Sequence, residues 1–101
     1  MKKLILTALI LPFLAQARPD VCLNVKTTAG AIMQSRQAGV DAQVVVELTG
    51  KNSANDGVFR MYMHIVIDAY QLKVHETDMY RQAAVKEFAN KYYIACWKGT
   101  V

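Results

Sequence analysis

Two cysteines, Cys22 and Cys96, are the only ones in this 101-residue chain, and they lie 96 minus 22, or 74, positions apart. A bond between them would close almost a whole small domain into one loop. In the loop-entropy picture such a closure stabilises the fold by about 4 kcal/mol, comparable with the entire stability of a small domain. Whether the bond forms depends on the compartment, and the N-terminus carries the address.

Lys2 and Lys3 precede an uncharged apolar run from Leu4 to Leu14, and Ala15-Gln16-Ala17 puts small residues at the two positions a signal peptidase reads. The run has 11 residues, whereas crossing a bilayer core takes about 20. Residues 1–17 are therefore expected to be a signal peptide and residues 18–101 a single exported domain of 101 minus 17, or 84, residues. The first mature residue would be Arg18, not a cysteine, so no lipid anchor and no stable membrane insertion are expected. In a periplasmic or secreted protein, Cys22 and Cys96 should pair as a structural disulfide.

Removing the leader takes Lys2 and Lys3 from the 12 basic residues and leaves 10 against 8 acidic ones, so the formal charge drops from +4 to +2. The basic side chains are dispersed, whereas nucleic-acid binding needs a concentrated basic face, so no nucleic-acid partner is expected. A domain of this size also has no room for a cofactor-binding fold beside a separate substrate domain.

Along the mature chain, Cys22, Val25, Ala29, Ile32 and Met33 recur at threes and fours up to Gln37, and Gly39 follows. That is a helix with a glycine stop. Arg36 falls within the same arc, so it faces the core or its rim, either as a snorkelling side chain or as one half of a desolvated ion pair, with Asp68 or Glu87 as acidic partner. Asp41 can cap a short helix from Ala42 to Leu48, with Gly50 after it, although the three consecutive valines there also favour a strand. Lys51 to Gly57 is a polar loop.

Val58 to Tyr70 reads two ways. As a helix it gathers Val58, Tyr62, Ile65, Val66 and Ala69 on one side and sets Arg60, His64 and Asp68 in a stripe; as a strand it aligns Met61, Met63, Ile65 and Ile67. The last element is a helix capped by Thr77 and ended by Gly99, with Val85, Phe88, Tyr92, Ala95 and Cys96 at helical spacing and Glu87 and Lys91 as an i, i+4 pair.

Chemistry has few candidates. The chain's two histidines, the side-chain type most often used as a catalytic base, are His64 and His75; no motif surrounds either, and Cys-x-x-Cys is absent. His75 and Glu76 precede the last helix and suit its N-terminal electrostatics. Met61, Met63 and His64 are soft ligands of the kind copper takes, yet methionines at such positions ordinarily fill a core. No catalytic residues and no cofactor are expected.

Cys22, Ile32-Met33 with Arg36-Gln37 and Gly39-Val40, Ile67-Asp68-Ala69-Tyr70, and Ala84, Phe88, Asn90, Tyr93 and Cys96 together resemble a family of small secreted proteins of Gram-negative bacteria and their prophages. The usual proline soon after the Ala-Tyr pair is replaced here by Gln71-Leu72. The resemblance implies an all-α domain, a bundle of about three to four helices closed by one disulfide, and it tips the ambiguous middle toward helix; a central hairpin in an α+β domain is the alternative. It implies no activity. The expected role is a noncatalytic module that meets another envelope protein, with an envelope stress protein or chaperone and a copper-binding protein as the alternatives.

Overall fold

A computed structural model describes residues 19–101. The expected signal peptide, residues 1–17, and its expected cleavage after Ala17 lie outside the described residues. Four helices follow one another there: α1 (Pro19–Gln37), α2 (Ala42–Lys51), α3 (Asp56–Tyr70) and α4 (Asp78–Lys98). No strand occurs among the described residues, so Gln43 to Leu48 and Val58 to Asp68 do not form a hairpin.

The helix boundaries follow local chemistry. Helix α1 ends where Gly39 adopts a left-handed φ of 79°, and the Val40 N–H turns back to the Ser35 carbonyl. Helix α3 is capped by the Asn55 side chain, which accepts from the Val58 N–H at 2.9 Å. At the start of α4 the Thr77 hydroxyl accepts from the Tyr80 N–H at 3.2 Å, and at its end Gly99 takes a left-handed φ of 77°. Asp41 precedes α2 in extended conformation, but its side chain makes no capping bond.

Helix α2 also runs through Gly50 to Lys51 instead of ending at Leu48. Gly50 serves packing there, not termination: the Phe59 ring lies 3.4 Å from where a Cβ would stand. The end comes at Asn52, whose side-chain amide donates to the Leu48 carbonyl at 2.8 Å.

Helix α1 is the centre of the bundle. It packs most extensively on α4, less on α3 and least on α2, which leans on α3. Cys22, Val25, Ala29, Ile32 and Met33, the arc read from the sequence, are all buried. They meet Ile65, Val66 and Ala69 of α3 and Phe88, Tyr92 and Cys96 of α4 in one core. Ile65 is fully buried while Ile67 is 53% exposed, so the two isoleucines that a strand would have put on one face point apart.

Candidate functional site

The Cys22 and Cys96 sulfurs are 2.09 Å apart, with 5.5 Å between the Cα atoms. The bond joins the first turns of α1 to the last turns of α4, and both cysteines are buried.

At the other end of α1, polar side chains clasp the loops. Of the two readings of Arg36, the ion pair with Asp68 or Glu87 does not form. The Arg36 Nε donates to the Leu72 carbonyl at 2.9 Å, and the guanidinium lies 5.1 Å from the centre of the Tyr70 ring. A carbonyl and an aromatic face satisfy the cation without an acid. Tyr70 in turn donates its hydroxyl to the Val40 carbonyl at 2.6 Å, tying the end of α3 to the α1–α2 turn.

Gln37, which sequence reasoning passed over, is the most heavily used side chain of this region. It is 4% exposed. Its Nε2 donates to the Lys73 carbonyl at 2.9 Å and lies 3.5 Å from the Met33 sulfur, while its Oε1 accepts from the His75 N–H at 2.8 Å. The loop between α3 and α4 is thus held on both sides of Val74. Arg81 adds a third tie, donating from Nε to the His75 carbonyl at 2.6 Å. His75 therefore holds the loop through its backbone, and its ring stands 6.1 Å from that of Tyr80.

Asp68 forms a second clasp, between α3 and α4. Its Oδ2 accepts from Lys91 Nζ at 2.7 Å and from the Tyr92 hydroxyl at 2.8 Å. Lys91 thus turns to α3, and the i, i+4 pair with exposed Glu87 does not form. Partial burial pushes the Asp68 carboxyl up, but the hydrogen bonds from Lys91 and Tyr92 and the Lys91 charge outweigh it and hold the group below the ordinary aspartate value. Burial, then the bond to Asp68, pushes the Tyr92 hydroxyl up, so it stays a donor.

A carboxyl whose folded pKa is depressed contributes stability that is complete above its unfolded value and is lost as pH falls through the folded one. Melting temperatures of the parent should therefore fall below about pH 4, and those of Asp68→Asn, lower at neutral pH, should meet them in acid. Melts that stay parallel down to pH 2 would show that Asp68 is not the titrating link.

The copper candidates are split. Met61 and Met63 both pack against the core, about 200° apart around the helix, and Met61 with exposed His64 lines a groove beside Thr100 and Val101, away from Met63. His64 has no bond to Asp68, whose carboxylate is taken by α4. Among the described residues no group of three or more His, Cys, Asp or Glu side chains is placed to hold a metal ion.

On the surface, a groove of about 320 Å³ lies between α1 and α2. Thr28, Ala31 and Ser35 form one wall, Val45 and Leu48 the other, with Ile32 and Tyr62 between them, and no charged side chain lines it. The sequence carries its signal: Thr27 to Ser35 contains no charge. Compared with family models, curated proteins and solved structures, the chain finds no match in any of the three.

Proposed function

We propose that this chain is an exported, noncatalytic interaction module of the bacterial envelope, presenting the α1–α2 groove of a disulfide-closed bundle to another envelope protein. The observation that carries the reading is where the polar groups go. Arg36, Gln37, Asp68, Tyr70 and Tyr92, which could have served chemistry, bind carbonyls, amides and one another to fix the helices. The α1–α2 groove is neutral and holds half-exposed Leu48, so the matching surface should be apolar with a few hydrogen-bonding groups.

The disulfide suits an oxidising compartment, and no described helix is long and apolar enough to cross a membrane. The resemblance to secreted proteins of prophages directs the proposal further, to a phage-encoded envelope modulator acting in superinfection exclusion, lysis control or inhibition of an envelope enzyme. Cleavage after Ala17 belongs to the same proposal, and the intact mass of protein from a periplasmic extract tests it.

The mature, oxidised protein should capture an envelope protein at a defined stoichiometry, and Leu48→Asp, which puts a charge into the groove wall, should abolish capture. Leu48 is 53% exposed, so the variant should fold as the parent does, with an unchanged circular dichroism spectrum. Capture that survives Leu48→Asp would remove the groove from the reading.

A further inference from the structure

A different surface lies across the bundle. At the disulfide end, the edge where α1 meets the outer side of α4 carries Leu23, Lys26, Tyr93 and Trp97 side by side. The Lys26 ammonium stands 5.4 Å from the Tyr93 ring centre, and the Tyr93 and Trp97 rings meet edge to face with centroids 6.3 Å apart. Leu23 is 49% and Trp97 42% exposed, although both are side chains that folding would ordinarily cover. Ile94, 51% exposed, and Lys98 flank Trp97 in the same last turns of α4.

The composition of this edge indicates what covers it. Lys26, Lys86 and Lys98 lie around the aromatic pair, Lys86 two helical turns before Tyr93 on the outward side of α4, with two acids near them, Asp20 in the turn before Leu23 and exposed Glu87 beside Lys86. An aromatic pair rimmed by lysines is the composition of a membrane-interface anchor, with rings at headgroup level and ammonium groups on anionic lipid.

We infer that the Leu23–Lys26–Tyr93–Trp97 edge docks the domain reversibly on an anionic lipid surface, with the rings in the headgroup layer. Binding of this kind is peripheral. The α1–α2 groove lies on the other side of α1 and stays open to a protein. The proposal does not rest on the groove reading, and Leu48→Asp separates the two because it should leave lipid binding unchanged.

Trp97 is the chain's sole tryptophan, so its fluorescence reports from the edge itself. The mature protein from Arg18 onward is titrated with vesicles of phosphatidylethanolamine and phosphatidylglycerol, and in parallel with phosphatidylcholine alone. A blue shift of the emission and co-sedimentation are expected with the anionic vesicles at low salt, fading as salt screens the lysines. Each lysine should carry about a fivefold change in partitioning, so Lys26→Gln with Lys98→Gln should weaken binding about 25-fold. Trp97→Ser should abolish co-sedimentation while leaving the helical circular dichroism intact. An unmoved emission spectrum with no pelleting would overturn the inference, as would equal binding to phosphatidylcholine. A shift produced by envelope protein but not by vesicles would make the edge a protein-docking surface, and the lipid proposal would fall.

Discussion

Cys22→Ala is expected to lower the melting temperature of the oxidised mature protein by about 15 to 30 °C. The bond closes a loop of 74 residues, and the loop-entropy relation assigns such a closure about 4 kcal/mol. For a domain of this size each kcal/mol shifts the midpoint by about 4 to 8 °C. The native state also suffers, because Cys22 and Cys96 belong to the core and removing the Cys22 sulfur leaves a gap there beside Cys96. Reduction of the parent should reproduce the entropic share without the change in volume. Differential scanning calorimetry of parent, reduced parent and Cys22→Ala tests this; a variant melting within a few degrees of the oxidised parent would mean that the helices hold both ends together unaided.

Much of this architecture was legible in the sequence, and the boundary of legibility has a physical cause. The α1 arc, the Thr77 cap and the Gly99 stop were readable because each depends on residues close together in the chain. Val58 to Tyr70 was not, because a β-branched, methionine-rich run satisfies both periods; only the tertiary contacts that bury Ile65 and leave Ile67 outside choose between them. Gly50 was misread as a stop because the ring it admits, that of Phe59, belongs to the next helix. The clasps were hidden for another reason. Arg36 could be turned inward by its register, but its partner is the Leu72 carbonyl, and a main-chain carbonyl has no residue signature. Lys91 had an acid one turn away in Glu87 and another across the bundle in Asp68, and spacing along one helix cannot rank them. The neutral groove left only a charge-free stretch in α1, Thr27 to Ser35, which means nothing until the position of α2 is known.

The same hidden clasp supplies the second large effect. Gln37→Leu keeps the volume of the buried side chain but removes a donor from the Lys73 carbonyl and an acceptor from the His75 N–H. Each group left unpaired costs about 1 to 3 kcal/mol; both bonds are only partly buried, which places each in the lower part of that range, so the expected loss is about 2 to 4 kcal/mol and the melting temperature should drop by about 10 to 30 °C. Arg36→Met, one position earlier, should cost much less, because its bond to Leu72 is exposed and the methionine can still cover the Tyr70 ring. Gln37→Glu separates hydrogen bonding from shape. Ionised, the introduced carboxyl accepts from His75 but cannot donate to Lys73; protonated, it can do both. Burial favours its neutral form and raises its folded pKa above the unfolded value, so the penalty should be full at neutral pH and shrink as pH falls through that folded value. This trend is opposite in sign to the one Asp68 imposes on the parent. Thermal melts of the three variants at pH 7 and pH 4.5 decide it: Gln37→Leu as stable as Arg36→Met, or a Gln37→Glu deficit indifferent to pH, would show that the α3–α4 loop is held by packing and not by the Gln37 amide.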